Sequence, residues 1–288
     1  MAVAESTIDA DLAGLDALDV GDVAAPRRAR RTWRALWPKV AALALFHLVW
    51  QLVVWSGWKE EFVLPPPGPV YRELWLRLQD GTILDALWLT MGRAARGFGV
   101  ALVLGTAIGA LVSRVKVLRT AVGSMITGLQ TMPSIAWFPL AILAFKISEE
   151  AILFVVVLGA APSIANGVIS GADQVPPVLV RAGKVLGARG IALWRHVVLP
   201  ASLPGYLAGL KQGWAFAWRS LMAGELIVIV VGKQSVGTLL QFSRDVNDAE
   251  GIVAAMVLIW GIGVAIDAMV FGAIERRVAR HRGMLTAP

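Results

Sequence analysis

The chain has 288 residues, 57% hydrophobic and 16% charged, with a mean hydropathy of +0.67 and no cysteine. Soluble domains carry about a quarter of their residues as charges, so this balance marks an integral membrane protein. The missing thiols exclude disulfides, thiolate metal sites and cysteine nucleophiles, and the formal charge of +7 takes its meaning from where the bases sit.

The apolar runs are continuous and close to the length of about 20 residues that crosses a hydrocarbon core about 30 Å thick, which predicts helices rather than an alternating barrel. Residues 1–26 contain the acids Glu5, Asp9, Asp11, Asp16, Asp19 and Asp22 and no base, and read as a disordered tail. Arg27, Arg28, Arg30, Arg31 and Arg34 follow, so residues 1–34 are expected to be an acidic, then basic, tail ahead of a membrane domain over 35–288. The first span is predicted at about 36–57; it is too long for a signal-peptide core and has no clear cleavage site. Leu64-Pro65-Pro66-Pro67-Gly68-Pro69 blocks helix until Pro69, which suits the first position of a short helix through about Gln79. Further spans are predicted at about 87–112, 120–145, 151–171, 202–231 and 252–273, making six.

Lys and Arg divide unevenly about this topology. With the N-terminus inside, the inner segments hold 17 and the outer segments 6, with Arg93, Arg96, Lys211 and Arg219 inside spans. That asymmetry predicts both termini in the cytoplasm of a multi-pass plasma-membrane protein, and explains the basic balance without nucleic acid.

Side chains that could carry chemistry are few. No GxxxxGK[ST] loop occurs, so ATP hydrolysis by a P-loop is not expected in this chain. His47, His196 and His281 are far apart, with no HExxH and no carboxylate at ligand spacing, which argues against a metal or hydrolase site. In the fifth span Lys211, Trp214, Trp218, Met222 and Glu225 share one helical stripe under about 90° wide, with Arg219 about 80° away. Charges and indoles on one stripe are costly against lipid. The stripe is either the wall of a path for an anion with an organic tail or a structural charge pair with aromatic packing. Gln130, Met132 and Pro133 belong to a stretch ending at Pro139, whose two prolines should break the third span and free backbone carbonyls; Pro162 to Asn166 in the fourth span looks like a counterpart. Arg93 and Arg96, one turn apart near the outer end of the second span, either snorkel to the interface or draw an anion toward the mouth. Gly97, Gly105 and Gly109 permit a close helix neighbour without naming it.

The stretch Val178–Pro200, VLVRAGKVLGARGIALWRHVVLP, is too short and too basic to span. It lies in the loop 172–200 and resembles the cytoplasmic loop of binding-protein-dependent ABC importer permeases, whose pattern is EAA, three residues, G, then a run ending in LP. Ala182 and Gly183 match the alanine pair, Gly187 the glycine, and Leu199-Pro200 the end; Arg181 stands where the family has glutamate. Leu64–Pro67, Gln130–Pro139 and Leu203-Pro204-Gly205-Tyr206 are similar to the nitrate/sulfonate/taurine group, and Trp214–Ile227 to aliphatic sulfonate permeases. The resemblance covers about residues 35–285.

It implies an all-α polytopic membrane protein of the type I ABC importer permease fold, with six transmembrane helices and a cytoplasmic coupling helix. It implies no catalysis here and no cofactor in this chain: a homodimer would work with two ATP-binding subunits that bind ATP and Mg, fed by an external substrate-binding protein. Arg181, Lys184, Arg189 and Arg195 would face the motor or the inner surface, with Leu186, Ile191 and Leu193 as apolar anchors. The implied cargo is a small organic sulfonate or related oxyanion, with nitrate, taurine or a neutral pyrimidine-like precursor as alternatives. A self-sufficient secondary transporter using Glu225 or Asp267 for protons is the competing class; an intramembrane enzyme has no nucleophile–base pair in its favour.

Overall fold

The computed structural model describes residues 28–282, so the acidic stretch 1–26, Arg27 and residues 283–288 lie outside the described residues. Every regular element within that range is helical. The chain divides into two units, residues 1–58 and 59–288. The first holds α1 (Arg28–Trp55), whose apolar part, Leu36–Trp55, coincides with the first predicted span. The helix starts within the basic cluster, at Arg28.

The second unit contains α2 (Pro67–Gln79), α3 (Thr82–Arg114), α4 (Lys116–Thr131), a 3-10 turn (Ser134–Trp137), α5 (Phe138–Phe145) and α6 (Glu149–Asp173). It continues with α7 (Pro177–Val185), α8 (Gly190–Leu193), a π turn (Trp194–Val198), α9 (Leu199–Ile227) and α10 (Val236–Asp245), then α11 (Ala249–Ile266), a second π turn (Asp267–Phe271) and α12 (Gly272–His281). Proline starts α2 as predicted, though at Pro67 rather than Pro69. The short helix α10 falls in a stretch read from sequence as a connector. Its start is capped reciprocally: the Thr238 N–H donates to Ser235 Oγ and the Ser235 N–H to Thr238 Oγ1.

Among the described residues, four helices are individually long and apolar enough to cross a membrane: Leu36–Trp55, α3, α6 and the continuous run Ala249–Arg280. The third predicted span is broken as expected. Pro133 offers no N–H and holds Met132 in extended backbone, and the two halves, Val117–Thr131 and Ser134–Phe145, meet at 101°. The fourth is not: α6 runs unbroken through Pro162, whose ring is buried among close neighbours. The fifth, α9, is 29 residues long but, with Lys211, Arg219 and Glu225, does not qualify as a span by apolar composition.

Helix α6 is the hub, packed along α3 on one side and α9 on the other. Glycine allows both approaches. A Cβ on Gly105 would lie 2.6 Å from the Ala161 carbonyl oxygen, and one on Gly109 the same distance from that of Ala165, so the GxxxG of α3 is written for α6. On the other side Gly167 and Gly171 meet Gly205 and Gly209 backbone to backbone. Among these helices lie Ile152, Val155, Val156, Ile164, Ala217 and Leu221, all essentially without solvent exposure. Away from the α7–α8 loop, Arg77 of α2 donates to Asp248 (2.7 Å), Glu73 (2.6 Å) and Ser243 (3.1 Å), tying α2 to the α10–α11 junction.

Candidate functional site

The stretch Val178–Pro200 forms a helical hairpin between α6 and α9. Helix α7 ends in a complete Schellman motif: the Gly187 N–H donates to Lys184 O (3.0 Å) and the Ala188 N–H to Gly183 O (2.9 Å). Gly187 sits at φ +86°, a left-handed conformation in which a side chain is strained. Gly183 is buried, and a Cβ there would press within 3 Å of Val197 and Leu193, so its small size closes the hairpin. Leu193 is therefore turned half inward, which corrects its expected role as an outward anchor.

The outward groups form a compact tip. Val185, Leu186 and Ile191 are 86%, 85% and 74% exposed, flanked by exposed Arg181, Ala182, Lys184 and Arg189. Val185, not singled out from sequence, is as prominent as Leu186. Leu199 and Pro200 open α9, and the Pro200 carbonyl accepts a hydrogen bond from Arg282. The Arg114 guanidinium lies 4.2 Å over the Trp194 ring, and Arg119 pairs with Asp173, so both ends of the hairpin region are anchored to neighbouring helices.

Along α9 the predicted stripe splits in two. Lys211, Trp214, Trp218 and Arg219 line a cavity of about 530 Å³ with Gln212, Asp267 and Glu275. Lys211 Nζ lies 3.2 Å from Asp267 and 3.7 Å from Glu275, and the Arg219 guanidinium rests 4.6 Å over Phe216. Trp214 and Trp218 stack at 6.2 Å, with Trp214 edge-on to Phe98, so the indoles pack as well as line the wall. Met222 belongs to the core, at 7% exposure.

Glu225 is the clearest departure from the path reading. It has no exposure; Oε1 accepts from Arg93 Nη1 (3.0 Å) and Oε2 from the Gly237 N–H (3.0 Å), with Thr90 Oγ1 donating between the two oxygens. Thr90 Oγ1 in turn accepts the Val236 N–H at 3.0 Å. Arg93 is 1% exposed and also grips Glu149 with Nε (2.9 Å) and Nη2 (2.6 Å). Glu225 is thus neither path wall nor free proton carrier, and Arg93 neither snorkels nor faces the mouth. Its guanidinium is committed to two carboxylates because burial leaves it no water. Lys233 and Arg96 reach Glu149 from the exposed side, at 3.1 and 3.7 Å. Sequence showed the charges on α3 and α9 but not their pairing, since Arg93 and Glu225 lie in different spans.

Of the remaining predicted residues, Asn166 lies between α6 and α9 and Gln130 reaches α6, whereas Met132 and Pro133 stay at the α4–α5 break. Asn166 lines a cavity of about 300 Å³ with Ser163, Ser170, Gln174, Pro204 and Gln212. Gln130 Nε2 donates to Ser163 Oγ at 3.2 Å, and Pro133 follows exposed Met132 at the α4–α5 break.

The exposed hairpin thus joins α6 to α9 within a helical membrane domain. Residues 101–280 match the family described as the binding-protein-dependent transport system inner membrane component, and the chain belongs to that family: it is an ABC transporter permease subunit. It is 28% identical to a putative ABC transporter permease protein of Methanocaldococcus jannaschii over 80% of this chain and 86% of that protein. It is 26% identical to a nitrate import permease protein of Synechocystis (84% and 91% covered), and 26% identical to a bicarbonate transport system permease protein of Synechococcus elongatus (80% and 85%). Among solved structures, the inward-facing MetNI methionine ABC transporter superposes with a TM-score of 0.57 at 23% identity, over 68% of this chain and 96% of that chain. At that identity the superposition speaks to the fold alone.

Proposed function

We propose that this chain is the membrane half of an ATP-driven importer for a small oxyanion, working as a homodimer with two ATP-binding subunits and an external substrate-binding protein. The observation that carries the reading is the hairpin tip. Three apolar side chains stand in solvent, ringed by bases, on a segment whose base is fixed to α3, α4 and α6. Such a tip favours a protein cleft over open water. Closure of the ATP-binding pair, which holds the ATP and Mg, moves the tip; α6 and α9, locked by four glycines, move with it as one body. On this reading the hairpin and both chain ends face the cytoplasm, and α10 faces outside.

The cargo we propose is an organic sulfonate. The α9 cavity supports it by combining Arg219 and Lys211 with stacked indoles that suit a short organic tail. Nitrate or another small inorganic oxyanion is the second reading, favoured by the nitrate and bicarbonate permeases among the relatives. Both are tested by reconstituting the chain with its ATP-binding subunit and binding protein in proteoliposomes and following uptake of labelled ethanesulfonate, taurine, nitrate and bicarbonate. ATP-dependent accumulation of a sulfonate is the expected result. Uptake that proceeds without the ATP-binding subunit would sink the importer reading.

A further inference from the structure

The two cavities along α9 share lining residues. Ala208 and Gln212 belong both to the cavity of Lys211, Trp214 and Arg219 and to the cavity between α6 and α9. They therefore adjoin, and the groove face they share on α9 runs from Pro204 to Arg219, about 22 Å along the helix axis, against a hydrocarbon core of about 30 Å. Its two halves differ in chemistry. One carries the bases Lys211 and Arg219 together with the carboxylates of Asp267 and Glu275, both paired with Lys211; the other carries no charge, only the amides and hydroxyls of Asn166, Ser170, Gln174, Gln212 and Ser163.

Ser163, Asn166 and Ser170 of α6 and Gln174 at its C-cap follow one another at three- and four-residue spacing, a polar face on the second half of the helix. The opposite wall is Pro204, Gly205, Ala208 and Gly209, beside the glycine contact that brings α6 and α9 together. Asparagine and glutamine amides at membrane depth are costly against lipid and are tolerated along a wet path.

We infer that Asn166, Ser170, Gln174 and Gln212 are further path residues, which carry the anion away from the charged cavity by neutral hydrogen-bond donors. The assignment rests on the oxyanion reading above for its ligand, but the groove itself does not depend on the cargo. Neutral donors suit this half of the route. A lysine or arginine here would hold an anion that has to leave, whereas amide and hydroxyl groups replace part of its hydration and release it.

The chain has no native cysteine, so single cysteines report cleanly. N166C, S170C and Q212C, in the transporter assembled with its ATP-binding subunit in membrane vesicles, are treated with sulfonatoethyl methanethiosulfonate, a thiol reagent that is itself an anionic sulfonate. V103C and L143C, at positions 68% and 82% exposed outside both cavities, are the controls. The groove positions are expected to react about tenfold faster than the controls, because hydrocarbon excludes the charged reagent, and their modification is expected to block uptake. Q212L, which keeps the size and removes the donor, is expected to lower uptake about fivefold with assembly intact. Reaction no faster than at the controls overturns the assignment, as does fast reaction with uptake unchanged. Fast reaction and blocked uptake of a cargo that is not an oxyanion supports the groove and overturns the oxyanion reading alone.

Discussion

Glu225 and Arg93 survive burial only because each satisfies the other. Removing one partner of a buried pair costs about 3–5 kcal/mol, since a charge is left without water or counter-charge. E225Q and R93M are therefore expected to lower the unfolding temperature of the detergent-solubilised protein sharply, read by tryptophan fluorescence. T90A, which removes one hydroxyl from the same network, should cost about 1–3 kcal/mol. An E225Q protein as stable as the parent would show that the network holds nothing together. Lys211 is a different case: its side chain is 38% exposed and its pairs with Asp267 and Glu275 are half in solvent, where such pairs contribute about 0–1 kcal/mol. K211Q should unfold at the parental temperature yet import anion more slowly; parental uptake would remove Lys211 from the path. At this scale the sequence pointed to charged residues at membrane depth. Which of them were spent on structure depended on partners up to 135 positions away.

At the scale of the elements, the hairpin separates fold from docking. Val185 and Leu186 are almost fully exposed, so V185D and L186D should leave stability unchanged and abolish co-purification of the ATP-binding subunit. Retention of that subunit would place the contact elsewhere. Gly187→Val forces a β-branched residue into left-handed backbone, at a cost of about 1–2 kcal/mol. It should weaken the same association by deforming the hairpin, with insertion in the membrane intact. The α6–α9 crossing is less forgiving: G167L or G209L would drive a side chain into main-chain atoms, and the folded protein should fail to accumulate in membranes. The hairpin was legible because its Ala182-Gly183, Gly187 and Leu199-Pro200 spacing is a recognisable pattern. The outward turn of Val185 and the inward turn of Leu193 were not, because both depend on how α7 folds back on the π turn.

At the scale of the molecule, a hub of three glycine-packed helices carries an exposed hairpin at one end and a buried charge network at the other. The network ties α3, α6, α9 and the start of α10, while the hairpin leads into α9 through a π turn. Composition, apolar run length and the placement of Lys and Arg by themselves determined a polytopic helical membrane protein, and its prolines the break at Pro133. Those properties are set by local backbone chemistry and by the cost of polar groups in hydrocarbon, and both are written residue by residue. Only the tertiary structure decided that the α3 glycines serve α6, that Glu225 is bound to Arg93, and that the polar face of α6 lies beside the α9 cavity. Each of those depends on which helices lie side by side, and helical periodicity orients a face without naming its neighbour.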